Sequence, residues 1–325
     1  MVPWLKKIAM RYSILDRPNQ NHKTHQESIP YLGGLAIVIP ISLFIIVGPA
    51  FLIEDADYAN RTALLLIPAV LLAIVGLYDD IHNLSALARF IVQSLLATGI
   101  ALLLSHLGYS VSISGNEIGD LLISIFWLVG VTNAFNFFDN LDGGAAGITL
   151  IGSFTLFLLA LWGNQYLIAS IALALAGSAL GFLWWNKNPA QIYLGDSGAL
   201  FIGFILATSL LQFEPTVKSR FVSVLIPIFI LALPIIDTSV AIVSRLRGGV
   251  SIFQGGRDHL SHRLISLGFN RRETAYSLWF LAAVFSAFAL IVTLVNETTA
   301  FTTSFLGLIF MSFLFIWFLK IDKDA

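Results

Sequence analysis

The chain of 325 residues has no cysteine and little charge. Only 11% of its residues are charged, whereas 57% are hydrophobic, and the mean hydropathy is +0.86. The absence of cysteine excludes disulfide bonds and thiolate metal sites. The charged fraction is far below the roughly 25% typical of soluble domains, which argues against a soluble fold. The formal net charge of −1 indicates no partner, and no nucleic-acid partner is predicted.

The sequence contains many long apolar runs. Runs of about 20 apolar residues can cross a bilayer as helices, whereas the strands of a membrane barrel are short and alternating. We therefore predict an all-α, polytopic integral membrane protein with a single domain over residues 1–325. About ten spanning helices are predicted, at residues 33–53, 62–80, 87–107, 119–138, 143–162, 166–185, 197–212, 221–244, 274–295 and 299–319.

Positive charge is unevenly divided between the two sides of this arrangement. With ten spans both termini share one side, and that side receives fifteen of the eighteen Lys and Arg residues. The other side has only Arg61, Lys218 and Arg220. Because cytoplasmic loops are enriched in Lys and Arg, the termini are predicted to be cytoplasmic and the protein to lie in the plasma membrane. The cytoplasmic parts include segment 1–32 and the longest loop, 245–273.

The first fifteen residues are too few to span a membrane. Apolar residues such as Trp4 and Leu5 lie beside Lys6, Lys7 and Arg11. This composition suits a helix lying at the membrane interface, and a frayed tail is the alternative.

Four polar residues follow an apolar run in a regular series. Asn133, Asn136, Asp139 and Asp142 are spaced three residues apart, which we expect to place them on one face of a helix. Ionisable groups near membrane depth are costly and are usually kept for function. Helix ends and Asp-Gly turns also attract such residues, but four oxygen-bearing side chains in series favour a functional site.

Further polar segments fall on the same predicted side. The adjacent acids Asp79 and Asp80 repel each other unless a cation, a metal or water is near. Arg89 could pair with a phosphate through two hydrogen bonds or could snorkel to the interface. Asp196, within Gly195-Asp196-Ser197-Gly198, lies just before a predicted helix and suits a metal or phosphate site, or serves as an N-cap.

The 245–273 loop combines arginines, glycines and two histidines, including Arg257, His259 and His262. This combination suits a polyanion such as a pyrophosphate. Zinc binding is the alternative, but no third ligand with zinc-like spacing follows. Together these segments predict an acidic, Mg²⁺-dependent site bordered by cations, suited to phosphoryl transfer from a soluble nucleotide to a lipid phosphate.

The motifs together resemble those of the polyprenyl-phosphate N-acetylhexosamine-1-phosphate transferases. That family includes the undecaprenyl-phosphate GlcNAc-1-phosphate transferases and the phospho-MurNAc-pentapeptide translocases. The resemblance extends from about residue 16 to residue 268. It rests on five motifs in the family's order: Lys23-x-His25 with Ile29–Gly34, Asp79-Asp80, Asn133-x-x-Asn136-x-x-Asp139-x-x-Asp142-Gly143, Pro189-Ala190 with Gly195–Gly198, and Asp258-His259-x-x-His262.

The resemblance implies a reaction and its participants. A sugar 1-phosphate would pass from a UDP-sugar to a polyprenyl phosphate, with release of UMP, to start a cell-envelope glycan. Mg²⁺, for which Mn²⁺ could substitute, would be held by Asp196, with Asp142 as a second candidate ligand. Whether the protein forms a homodimer is left open. The implied catalytic residues are Asp79, Asp80, Asp142 and His259. The implied substrate-binding residues are Lys23, His25, Arg89, Asn133, Asn136, Asp139, Arg257 and His262.

Two departures from the family pattern bear on the substrate. His259-Leu260-Ser261-His262 differs from the three consecutive histidines of the MurNAc-pentapeptide branch and favours the GlcNAc-type branch. Asn140 stands where Gly is usual and is expected to reshape the nucleotide pocket. A phospho-MurNAc-pentapeptide transferase is the alternative. A transporter is less favoured, because its charges would lie near the bilayer midplane.

The order of bond formation is open at this point. An Asp could attack the donor and form a covalent intermediate, or the lipid phosphate could attack directly. Direct attack is expected, because a lipid phosphate is already an anionic nucleophile.

Overall fold

The computed structural model describes residues 1–16, 29–47, 58–82, 84–109, 113–253 and 256–322. In these residues the chain forms thirteen helices and one antiparallel pair of two-residue strands. The strands are β1 (Leu15–Asp16) and β2 (Ile29–Pro30). The helices are α1 (Val2–Arg11), α2 (Leu35–Val47), α3 (Tyr58–His82), α4 (Ala86–His106), α5 (Glu117–Phe138), α6 (Gly144–Trp162), α7 (Tyr166–Asn186), α8 (Gly195–Gln212), α9 (Arg220–Ile230), α10 (Ala232–Arg247), α11 (Leu260–Ser266), α12 (Arg271–Leu294) and α13 (Glu297–Lys320).

Eight of the described helices, α3 to α8 with α12 and α13, are long and apolar enough to cross a membrane. The bent pair α9 and α10 makes a ninth span if it is taken as one. The apolar α2 is shorter, with 13 residues. The all-α, multi-pass class is confirmed, whereas the number of about ten spans stays a prediction.

The continuous helix predicted over residues 221–244 is wrong. The chain bends by 77° between α9 and α10, around Leu231. Pro234 has no N–H for the carbonyl of Ile230, and its ring would clash with that carbonyl in a continuous helix. Leu231 instead donates to the Pro227 carbonyl, and Pro234 lies in the first turn of α10, where proline is tolerated.

The helix α8 lies at the centre of the bundle and packs against α3 and α5. It has the lowest mean hydropathy of the eight spans, 1.3, because 89% of its apolar window is buried by protein rather than facing lipid. Its first turn is closely approached by two glycines. A Cβ on Gly76 would lie 2.5 Å from the backbone of Asp196, and one on Gly34 would lie 2.3 Å from the backbone nitrogen of Gly198. Glycine at both positions therefore lets α2 and α3 reach the start of α8.

The N-terminal segment forms the amphipathic helix α1. Its residues Val2, Leu5 and Ala9 are buried, and it packs beside α2 and β2. The frayed-tail alternative is therefore wrong for residues 2–11, whereas a position at the membrane interface stays a prediction.

Candidate active site

Asp80, in the last turn of α3, holds the start of α8. Its Oδ1 accepts the Asp196 N–H at 2.9 Å, and its Oδ2 accepts the Ser197 N–H at 3.2 Å. A carboxylate at this position satisfies two free amides of the helix start and interacts favourably with the helix dipole. The interpretation of Asp196 as the N-cap is wrong, since Leu194 occupies that position and makes no side-chain cap. The side chain of Asp196 is therefore not used to cap α8.

Asp196 is instead joined to residues of α3, α4 and α5. Its Oδ1 accepts a hydrogen bond from Asn136 Nδ2 at 2.7 Å, and its Oδ2 accepts one from Arg89 Nη1. The same guanidinium nitrogen lies 2.6 Å from Asp79 Oδ2. The other oxygen of Asp79 accepts the Leu84 N–H. Arg89 thus bridges two motif carboxylates, which favours a role at the site over snorkelling.

Asp139 lies directly after the last residue of α5. Removal from water raises the pKa of its carboxyl to about 7, and the negative charges of Asp80 and Asp142 add to this shift. A carboxyl that resists ionisation in this way would be relieved by a nearby cation. A cation bound near Asp139 would therefore lower this pKa and favour the ionised carboxylate.

Asp142 is held by the segment that follows α7. Its Oδ2 accepts hydrogen bonds from Asn188 Nδ2 at 2.8 Å and from the Ala190 N–H at 3.2 Å. Arg271 Nη1, at the start of α12, lies 4.0 Å from Oδ1. Asn186 fixes the same segment, because it accepts from the Gly143 N–H and donates to the Ile192 carbonyl, both at 3.0 Å.

The histidine motif is anchored to α10. His259 Nδ1 lies 2.7 Å from Asp237 Oδ2, and Arg245 Nη2 lies 3.5 Å from His259 Nε2. Arg245 also donates from Nε to Asp258 Oδ2 at 3.2 Å. These four side chains are all buried. The His259 ring meets Phe137 of α5 edge-on, with 6.1 Å between ring centroids. The motif is therefore packed against the helix that carries Asn136.

His262 differs from His259 in its surroundings. It is half-buried, and its Nδ1 has no hydrogen-bond partner in the described part of the chain. Burial, followed by the neighbouring charge of His259, lowers the pKa of His262 to about 4. His262 is therefore neutral near pH 7 and offers a polyanion hydrogen bonds rather than charge.

The expectation that the four residues of the Asn133 series share one helical face is wrong. The helix α5 ends at Phe138, so Asp139 and Asp142 lie in the turn beyond it. Three residues also rotate a helix by roughly 300°, so each step drifts by about 60°. Asn133 Nδ2 donates to the Val129 carbonyl of its own helix at 2.8 Å, whereas Asn136 reaches Asp196.

The other predicted residues divide into three groups. One group is linked by hydrogen bonds and ion pairs through Arg89 and Asp196, and it consists of Asp79, Asp80, Arg89, Asn136 and Asp196. Asp142 and His259 are held by separate anchors at the same end of the bundle. Arg257 is exposed and has no ion pair among the described residues. Lys23 and His25 lie outside the described residues.

Some residues that build the site were not predicted as site residues. Asp237, Arg245 and Asn186 orient the motif residues. The sequence does mark Asp237 as a further acid at helix depth on the same predicted side, but it predicts no role for this residue. Asn186 has no comparable signal, because a polar residue at the end of a span is common.

The residues present suit a hard divalent cation. Within the described residues, no three His, Asp or Glu side chains are arranged to hold a metal ion. A zinc site would need such a closed set of protein ligands. Mg²⁺ instead binds one or two carboxylates and completes its shell with water and substrate phosphates. Asp196, together with the protonation-prone Asp139, fits that pattern.

Comparison with known proteins identifies a family for this chain. The profile of the family described as Glycosyl transferase family 4 matches residues 62–214, which contain all the motif acids from Asp79 to Asp196. The chain is 33% identical over 321 residues to the "Probable undecaprenyl-phosphate N-acetylglucosaminyl 1-phosphate transferase" of Bacillus subtilis (strain 168), covering 96% of this chain and 86% of that protein.

Two further relatives have similar names. The chain is 31% identical over 304 residues to the decaprenyl-phosphate N-acetylglucosaminephosphotransferase of Mycolicibacterium smegmatis, covering 85% of this chain and 74% of the relative. It is 29% identical over 296 residues to the undecaprenyl-phosphate alpha-N-acetylglucosaminyl 1-phosphate transferase of Escherichia coli K12, covering 87% and 77%. The resemblance seen in the sequence is thus confirmed, and the chain belongs to the GlcNAc-type family of polyprenyl-phosphate sugar-1-phosphate transferases within glycosyl transferase family 4.

Proposed function

We propose that this enzyme transfers N-acetylglucosamine 1-phosphate from UDP-N-acetylglucosamine to a polyprenyl phosphate and releases UMP. One observation carries the proposal: Arg89 joins Asp79 to Asp196, and Asn136 holds the other oxygen of Asp196. This network links three separate sequence motifs at one end of the bundle. The names of the relatives support N-acetylglucosamine as the sugar.

The reaction exchanges one phosphoanhydride bond for another. An oxygen of the lipid phosphate bonds to the β-phosphorus of the donor, and the bond from that phosphorus to the oxygen bridging to the α-phosphorus breaks. The bridging oxygen leaves with UMP. Two anions must therefore approach each other in line, and fixing them in that geometry can supply much of the acceleration. Arg89 has five N–H donors, so it can hold a phosphate oxygen while it remains paired with Asp79 and Asp196.

We assign Mg²⁺ as the cofactor, with Mn²⁺ able to substitute. Asp196 would hold it, with Asp142 as the second candidate and the neighbouring Asp139 favoured in its ionised form by the cation. When bound, the ion would neutralise phosphate charge during transfer. The other residues would act on the substrates: Asp79 and Asp80 at the lipid phosphate, and His259 at the donor diphosphate.

The same proposal includes the side of the membrane that the site faces. A UDP-sugar donor is soluble, so the end of the bundle with the motif acids would face the cytoplasm at the plasma membrane. The concentration of Lys and Arg on that side supports this orientation. Lys320 and the end of α13 share that end, because Arg263 of α11 donates to the Phe318 carbonyl at 3.0 Å.

A panel of donors tests the substrate. Purified protein is incubated with Mg²⁺, undecaprenyl phosphate and individual UDP-sugars, and UMP is measured. We expect UMP from UDP-N-acetylglucosamine or a close UDP-N-acetylhexosamine and none from UDP-MurNAc-pentapeptide. EDTA should abolish release, and Mg²⁺ or Mn²⁺ should restore it. Product from the pentapeptide donor alone, or turnover that EDTA leaves intact, would contradict the proposal.

The two histidines should respond differently to substitution. His259→Asn removes the ring that Asp237 and Arg245 hold, and we expect kcat to fall by about 10²-fold, within the range for a proton-transferring or charge-stabilising group. His262→Asn should lower kcat by less than about tenfold, because neutral His262 offers hydrogen bonds that Asn can also make. Steady-state rates of UMP release check both values, and a larger loss from His262→Asn would reverse the assignment.

A further inference from the structure

Asp237 is more deeply buried than the motif carboxylates, with 1% exposure, yet it lies outside the five sequence motifs described above. Both of its oxygens are used. Oδ2 lies 2.7 Å from His259 Nδ1, and Oδ1 accepts the Leu260 N–H at 2.7 Å. A buried carboxylate is costly unless donors satisfy it. Because both donors come from the histidine motif, the burial of Asp237 is compensated by that motif alone.

This contact determines which ring nitrogen of His259 carries hydrogen. An ionised carboxylate only accepts hydrogen bonds, so the hydrogen shared with Asp237 belongs to Nδ1. The opposite nitrogen, Nε2, is then the acceptor of the neutral ring, and Arg245 Nη2 lies 3.5 Å from it. Arg245 on one edge and Phe137 on another restrict rotation of the ring. An acid plays the same part toward the imidazole of a serine-protease triad.

We propose that Asp237 is a positioning residue that holds His259 in the Nδ1–H tautomer and presents Nε2 to the donor diphosphate. This inference rests on the proposed function, because it takes the donor to be a nucleoside diphosphate sugar. When the diphosphate binds, Nε2 takes a proton from solvent and donates a hydrogen bond to an anionic diphosphate oxygen in place of its contact with Arg245. The Asp237 carboxylate then balances the charge of the imidazolium. An Asn at position 237 can donate to Nδ1, which favours the other tautomer and leaves the ring neutral.

Kinetics with a double-mutant cycle test the proposal. Asp237→Asn should lower kcat by about 10–100-fold, with a smaller change in KM for the donor. In a His259→Ala background the same substitution should cost nothing further, since Asp237 acts through that ring. Asp237→Glu, which keeps the charge, should recover part of the rate. An undiminished kcat in Asp237→Asn, or an equal loss with and without His259, would overturn the proposal.

A spectroscopic measurement separates positioning from structural support. In protein labelled with ¹⁵N-histidine, the signal that disappears in His259→Ala should report a protonated Nδ1. That proton should be lost in Asp237→Asn and kept in Asp258→Asn, the matched control, because Asp258 is also buried but pairs with Arg245. An unprotonated Nδ1 in the unsubstituted protein would disprove the tautomer, even if Asp237→Asn does not fold. Failure of UDP-N-acetylglucosamine as donor would leave this spectrum unchanged, so the two proposals fail separately.

Discussion

Replacing Asp196 with Asn should lower UMP release by about 10³-fold, which is the largest single effect that we expect. The side chain keeps its size and one acceptor oxygen, so Asn136 retains a partner. The second oxygen becomes an NH₂ group, which faces Arg89 and cannot bind a cation. The loss of charge should therefore remove both the pairing with Arg89 and the proposed metal ligand.

Three measurements make this result specific. UMP release gives the rate, the thermal midpoint reports folding, and electron paramagnetic resonance of added Mn²⁺ reports metal binding. Asp120→Asn is the matched control, because Asp120 is a buried acid at the other end of α5 that accepts the N–H groups of Ile113 and Ser114. It should leave the rate near that of the unsubstituted enzyme. A rate above one tenth for Asp196→Asn, or unchanged Mn²⁺ binding, would count against the proposed metal site.

The second large effect concerns the adjacent acids of α3, whose environments differ. We expect Asp79→Asn and Asp80→Asn each to reduce turnover by about 10²-fold or more while UDP-sugar binding is largely retained. Only Asp80→Asn should also lower the thermal midpoint markedly, because one backbone amide of α8 loses its acceptor at a cost of about 1–3 kcal/mol. Arg89 keeps Asp196 as a partner in Asp79→Asn. Equal thermal midpoints for the two variants would contradict the capping role of Asp80.

A labelling experiment distinguishes direct attack by the lipid phosphate from a covalent intermediate on Asp79 or Asp80. Donor labelled in its sugar is mixed with enzyme and Mg²⁺ in the absence of lipid, and the denatured protein is then examined for label. We expect none, because the lipid phosphate is itself the nucleophile. Stoichiometric UMP release with label retained on the protein would instead establish a covalent aspartyl intermediate.

The spans were predictable from sequence because length and apolarity are local properties of each segment. The break at Leu231 escaped a hydropathy argument, since Pro234 changes the backbone hydrogen bonds without making the run less apolar. The helix α8 gave the weakest hydropathy signal because other helices, rather than lipid, surround it, so fewer of its residues need to be hydrophobic.

The sequence predicted which residues lie near one another in the site, but it did not predict their hydrogen-bond partners. Counting charges by side of the membrane predicted that Asp79, Asp80 and Asp196 share one side, and in the structure they lie together at one end of the bundle. The capping of α8 by Asp80 depends on which helices are neighbours, and sequence spacing does not contain that information. Spacing also misled the interpretation of Asn133, because a period of three drifts around a helix and because α5 ends before Asp139.

Arg263 extends the support of the site to the far end of the chain. Besides the Phe318 carbonyl, its Nη1 donates to the Ile321 carbonyl, and its Nη2 donates to Ser244 Oγ of α10 at 2.9 Å. This buried guanidinium joins the histidine motif to the last turn of α13, about 60 positions later in sequence. A truncation or substitution that disrupts the final turn of α13 would therefore loosen the histidine motif, and a fusion partner belongs beyond Asp322 rather than in place of that turn.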